Sequence, residues 1–170
     1  MRKKKVTNII GGGEVKSTSY LHELSTDDID NIAKILNIIK FKGAFADNDF
    51  PNLKDGECMI INLEHDYQPG SHWTALRRYG STLLHFDSLG FPPDQPIMDY
   101  AKKHRLRVLF RLIRVQQDDS FYCGHYSLYF LSLVTTPKDV DGFYKRFRTG
   151  NTNKDLKSND ELMKSIVSKW

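Results

Sequence analysis

Three strand-length apolar runs, set apart by glycine and proline, constrain this chain's fold more than any other feature. Cys58 to Leu63, His72 to Tyr79 and Thr82 to Asp87 are continuous or alternating apolar stretches of the length strands have. Only Tyr79-Gly80-Ser81 separates the second from the third, which predicts an antiparallel hairpin. Strands this apolar need helices against them. Ser25-Thr26-Asp27-Asp28 has a capping-box pattern, and Ile29, Ile32, Leu36 and Ile39 follow it at helical spacing. Pro96 to His104 reads as a short helix and Val108 to Val115 as a fourth strand. Cys123 to about Val134 reads as a strongly apolar helix. Thr136-Pro137-Lys138-Asp139 joins a cap to a first-turn proline, and Ser158-Asn159-Asp160-Glu161 predicts the start of a final helix. The stretch FKGAFADNDFPNLKDGE is expected to be irregular, because Gly43, Pro51 and Gly56 interrupt it. This order predicts an α+β fold with a mixed central sheet flanked by helices.

The 170 residues suit one domain with its own core over 19–170, preceded by an arm over 1–18 that is basic, glycine-rich, poor in apolar anchors and expected to be mobile. The longest apolar run, Tyr126 to Val134, falls far short of the roughly 20 residues a membrane span needs. No membrane association or secretory signal is expected. Two cysteines, Cys58 and Cys123, form no disulfide framework and no paired zinc spacing, and they point to a reducing compartment. The net charge of +4 is concentrated in Arg2-Lys3-Lys4-Lys5 and Lys102-Lys103-His104-Arg105-Leu106-Arg107. A polyanion contact and a solvated basic face both remain open.

Cys123 stands where the apolar helix should begin. A helix N-terminus offers unpaired N–H groups and partial positive charge, both of which favour a thiolate nucleophile. Taken alone, such a cysteine is more often a small buried hydrophobe. Two neighbours in the pattern change the balance. Gly70-Ser71-His72-Trp73 places a histidine at a strand entrance, and Leu84-His85-Phe86-Asp87-Ser88 ends the next strand on a carboxylate. Adjacent hairpin strands bring those ends together, giving the parts of a nucleophile, base and orienting acid. Gln116 and Gln117 offer an amide donor to a developing oxyanion. His65, His85 and His104 read as surface or satisfied structural histidines. His125, two residues past Cys123, is expected to face away from the thiol. A zinc site from Cys123, His125 and His72 lacks a fourth ligand at recognisable spacing. Tyr126, Tyr129, Phe130 and Leu133 read as a core stripe.

Ser71-His72-Trp73, then Phe86-Asp87-Ser88-Leu89-Gly90, then Gln117 with Cys123-Gly124 six residues on, resemble the adenovirus-protease and SUMO-protease clan of cysteine proteases. Phe41-Lys42-Gly43-Ala44-Phe45 through Phe50-Pro51 resembles the loop ahead of the histidine strand in the adenoviral members. The likeness spans residues 25–135, and the compact size fits adenain-like proteases of double-stranded DNA viruses and virophages. The resemblance implies His72 as base, Asp87 as its partner, Cys123 as nucleophile and Gln117 as oxyanion donor, with Gln116 an alternative. It implies substrate contacts from Trp73 and Gly124, and no metal or organic cofactor. The implied activity is a monomeric endopeptidase cutting polypeptides after Gly-Gly-type motifs, processing capsid or core precursors during virion maturation. The implied place is the virion or the host cell interior, with DNA or another polyanion as a candidate partner of the basic arm. Two departures stand out. Tyr122 precedes the cysteine where SUMO proteases carry Asp and the adenoviral enzyme Ala, and Cys58 matches no partner cysteine for activation through a disulfide-linked peptide.

Three other readings stay open: removal of a ubiquitin-like modifier, acyl transfer through a related His–acid–Cys set, and an inactive polyanion-binding relative. Within the arm, Ile9-Ile10-Gly11-Gly12-Gly13 lacks the lysine and the serine or threonine of a phosphate loop. A hinge is one reading. The other comes from the resemblance: Ile9, Gly11 and Gly12 before Gly13 have the form of a cleavage sequence, open to self-cleavage or to occupying the groove.

Overall fold

The computed structural model describes residues 19–47, 50–63 and 72–170. The expectations for the arm, including Ile9 and Gly11 to Gly13, and for His65, Gly70 and Ser71 lie outside those residues. Five strands form one sheet in sequence order: β1 (Phe41–Ala46), β2 (Cys58–Leu63), β3 (His72–Tyr79), β4 (Thr82–Phe86) and β5 (Arg107–Leu109). The three central strands are antiparallel, whereas β1 and β5 run parallel to their neighbours. The sheet is therefore mixed, as expected. Tyr79 pairs with Thr82 to close the hairpin, and Gly80 takes φ +54 at its tip.

Five α-helices cover the sheet: α1 (Thr26–Ile35), α2 (Gln95–Lys103), α3 (Cys123–Leu133), α4 (Val140–Tyr144) and α5 (Asn153–Val167). A short 3-10 turn, Pro137–Asp139, leads into α4. Successive strand residues face opposite sides, so each strand supplies two cores. On one side, α1, α3, α4 and α5 pack over Ile60, Trp73, Ala75, Leu84 and Phe86. On the other, α2 and Leu53 cover Met59, Ile61, Leu76 and Leu83. Every residue of β4 is buried, which is why it reads as a continuous apolar run. Phe86 lies at the centre of the larger core, stacked on Phe130 at 4.7 Å and edge-on to Phe143 at 5.2 Å.

Four expectations need correction. The stretch expected to be irregular contains edge strand β1, which accommodates Gly43 at φ +127 through a register shift between Phe41 and Ala44. The first helix stops at Ile35, because Asn37 and Lys40 take left-handed conformations, and Ile39 is left 70% exposed. The fourth strand shrinks to three residues. Beyond it, Val115 and Gln116 donate their N–H groups to Ser88 O, past the end of β4. The last helix starts at Asn153, where Thr152 Oγ1 accepts the Asp155 N–H, so Ser158 lies inside it and Asn159 and Asp160 turn inward. No described helix is long and apolar enough to cross a membrane.

Candidate active site

The ends of β3 and β4 place the first two groups. His72 opens β3, and Asp87 follows the last residue of β4, which pairs with Ala75. Antiparallel pairing sets both at one end of the sheet, and His72 Nε2 lies 3.0 Å from Asp87 Oδ1. The ring N–H does not point along that line, so the contact is more a charge pair than a directed hydrogen bond. The carboxylate is held by its own turn: Oδ1 accepts the Leu89 N–H at 2.7 Å, and Asp87 O accepts the Gly90 N–H at 3.1 Å. Gly90 takes φ +76, and a β-carbon there would meet Arg114 N at 2.8 Å. Only glycine fits that turn.

Cys123 opens α3, 6% exposed, and no side chain among the described residues caps the helix start. The four leading N–H groups of a helix have no partner within it. Trp73 and Gly124 fasten α3 to β3. Ser127 Oγ donates to Trp73 O at 3.1 Å, the indole N–H donates to Leu24 O at 3.2 Å, and a β-carbon on Gly124 would lie 3.2 Å from Trp73 Cδ1. The helix start bearing Cys123 is thereby held against the strand that opens with His72. Burial alone would push the His72 pKa down, but the adjoining Asp87 carboxylate and the Cys123 side chain outweigh burial and raise it to about 10.

The two glutamines differ. Gln116 is buried with both ends of its amide engaged: Ser88 Oγ donates to Oε1 and Nε2 donates to Ser120 O, both at 2.6 Å. Gln117 is half-buried; its backbone N–H donates to Asp160 Oδ2 at 3.4 Å, while its side-chain amide has no partner among the described residues. Trp73 also borders a cavity of about 160 Å³ with Thr26, Ala44, Ala46 and Asn62. A larger one of about 670 Å³, between α1 and β1, is lined by none of these catalytic candidates.

His85 differs from the sequence reading of a surface or satisfied histidine. It is 3% exposed, neither ring nitrogen has a hydrogen-bond partner among the described residues, and burial presses its pKa to about 4. His125 turns its Nε2 to Tyr20 O at 2.7 Å, and burial lowers its pKa to about 4 as well. No three His, Cys, Asp or Glu side chains among the described residues are grouped to hold a metal ion. Sequence reasoning missed Asn159 and Asp160. Their one signal is the helical spacing they share with Leu156, Met163 and Val167, all buried on α5.

A thiol at a helix start, an imidazole beside it, a carboxylate behind the imidazole and an unpaired amide on the preceding loop make a site chemically suited to nucleophilic acyl transfer. No family model matches the chain, and neither does any curated protein. Among solved structures, the chain is similar to the ASFV pS273R protease at 20% identity and a TM-score of 0.47, over 65% of this chain and 43% of that one. It therefore spans less than half of that protease's length.

Proposed function

We propose that this protein is a cysteine endopeptidase that cleaves viral precursor polypeptides after Gly-Gly-type sequences. The observation that carries the catalytic reading is His72 lying 3.0 Å from Asp87 at one end of the sheet, with Cys123 opening the helix that packs on β3. The cleavage preference and the viral setting rest on the motif resemblance of His72-Trp73, Asp87 and Gln117 with Cys123-Gly124.

In this reading His72 takes the thiol proton of Cys123 as the sulfur attacks the scissile carbonyl. A C–S bond forms, and the carbonyl π pair moves onto oxygen. Gln117's side-chain amide and the Cys123 backbone N–H donate to that oxyanion, one such donor contributing about 3 kcal/mol in the transition state. The intermediate collapses, the C–N bond breaks, and the leaving amine takes the proton from His72. A water then gives a proton to His72, attacks the thioester and releases the carboxylate product and the thiolate. Asp87 orients the imidazole throughout. Gln117 takes the donor role over Gln116, because both ends of the Gln116 amide are engaged.

The test is mass spectrometry of new N-termini in a mixed viral precursor lysate, with Cys123→Ala protein as control. Fragments starting after Gly-Gly in the wild-type reaction alone are expected; equal cleavage by Cys123→Ala removes the mechanism. A panel of ubiquitin-like fusions in parallel separates precursor processing from modifier removal. The same preference makes Ile9-Ile10-Gly11-Gly12 before Gly13 a self-cleavage segment, and an N-terminus still intact after long incubation excludes that.

A further inference from the structure

The buried polar face of α5 is the feature this mechanism leaves unused. Asn159 is 2% exposed and Asp160 7%, on a helix side otherwise occupied by Leu156, Met163 and Val167. A carboxylate in such a place costs several kcal/mol unless it is well partnered. Among the described residues no lysine or arginine forms an ion pair with Asp160. Its partners are neutral donors: the Tyr126 hydroxyl at 2.9 Å, the Gln117 backbone N–H at 3.4 Å and the Ser120 side chain.

All three donors belong to one stretch of chain. Gln117 and Ser120 lie in the loop before Cys123, and Tyr126 lies on the first turn of α3 after it. Asn159 holds the entrance of that loop, donating from Nδ2 to Val115 O at 3.1 Å and to Arg148 O at 2.9 Å. Val115 and Gln117 are thus gripped from α5, while the residue between them, Gln116, is locked by Ser88 and Ser120. What remains free is the Gln117 side chain.

We propose that Asp160 is a positioning residue that fixes the Gln117 backbone and so sets where the Gln117 amide meets the developing oxyanion. This inference rests on the acyl-transfer reading of Cys123 given above. Burial raises the Asp160 pKa, with Asp119 adding to that, while Tyr126, Ser120 and Gln117 lower it by donating to the carboxylate. Leucine would suit the burial of this helix face but would leave the Gln117 N–H without its acceptor and the Tyr126 hydroxyl with only its longer contact to Val115 O at 3.3 Å.

The test compares two reactions of Cys123. Acylation by p-nitrophenyl acetate, read as a nitrophenolate burst, passes through an oxyanion; alkylation by iodoacetamide does not. Displacing a donor by about 1 Å lowers rate by roughly 100-fold, so Asp160→Ala is expected to slow acylation by about 10- to 100-fold. Alkylation should stay within about two-fold of wild type, because the thiol and His72 are untouched. Asp160→Asn keeps one acceptor oxygen and should recover part of the loss. In a Gln117→Ala background, Asp160→Ala should cost almost nothing further, because one residue acts through the other.

Equal losses of acylation and alkylation in Asp160→Ala would overturn the inference. So would an Asp160→Ala effect as large without Gln117 as with it. If Asp160→Ala does not fold, Asp160→Asn, which keeps the shape and weakens the acceptor, gives the ratio of rates and decides in the same way. Peptide hydrolysis is not required: protein that acylates but cuts no peptide loses the protease reading and leaves the Asp160 ratios to decide this one. A burst in Cys123→Ala equal to wild type marks failure of the thiol reading, and the inference falls with it.

Discussion

Replacing Gly124 by alanine probes the packing between the helix that bears Cys123 and the strand that bears His72. Two effects oppose each other. Alanine gains up to about 1 kcal/mol over glycine in helix propensity, and less than that at the second position of a helix. Against this, the new β-carbon would lie 3.2 Å from Trp73 Cδ1, 3.3 Å from Leu24 Cδ1 and 3.5 Å from Leu24 Cβ. Both neighbours are buried, and the indole N–H bond to Leu24 O ties them together, so displacing one moves the other. Forcing an extra methyl into a closed core typically costs about 1–3 kcal/mol. The net expectation is a loss of about 1–2 kcal/mol. At this chain length each kcal/mol is about 2–4 °C, so Tm should fall by roughly 2–8 °C. Because Trp73 adjoins His72, the shift should also slow iodoacetamide alkylation of Cys123. Thermal unfolding by circular dichroism and the alkylation rate check the two parts. A rise in Tm with unchanged alkylation would falsify the packing claim, showing that Trp73 and Leu24 yield freely.

Three histidines shape how stability depends on pH. His85 and His125 have folded pKa values near 4, below the unfolded value near 6.5, so the unfolded chain binds more protons as pH falls between those limits. Stability should drop there by up to ~2.7 kcal/mol per pH unit. His72 is raised to about 10, so its contribution is whole below pH ~6.5 and is lost as pH rises through 10. Together they place the maximum near pH ~6.5; urea titrations showing a flat plateau from pH ~5 to ~9 would contradict this. His85→Leu removes a buried ring with two unpartnered nitrogens and should raise the urea midpoint at neutral pH while flattening the acid limb by about half. Tyr100→Phe leaves the buried Leu53 N–H without the hydroxyl that accepts it at 2.8 Å, for an expected loss of about 1–3 kcal/mol in urea unfolding. An unchanged midpoint would mean that another acceptor replaces it.

The legible parts of this molecule are those whose signals are local. The Gly80 turn between two alternating runs predicts the β3–β4 hairpin, and a hairpin by itself carries His72 and Asp87 to one end of the sheet. The change of periodicity at Cys123 likewise marks where α3 begins. What escaped depends on distant partners or on two competing local signals. Gly43 reads as a breaker, yet as an edge-strand bulge it lets Ala44 to Ala46 resume pairing with β2. Ser158 begins a capping pattern in the sequence, yet the structure caps the helix earlier, at Thr152. The earlier start frees Asn159 and Asp160 to reach Val115, Gln117 and Tyr126, some forty residues back in sequence. His85 gives no local sign that it is buried without partners, because that follows from β4 being covered on both faces.

The junction at His125 has a mechanical side. Its Nε2 meets Tyr20 O at 2.7 Å, and its ring stacks on that of Trp170 at 6.0 Å, so two points almost the full described chain apart close on one imidazole. Both ends of the described domain therefore bear on the helix that opens with Cys123, two residues from the thiol, so trimming Trp170 is expected to change the alkylation rate of Cys123 as well as stability.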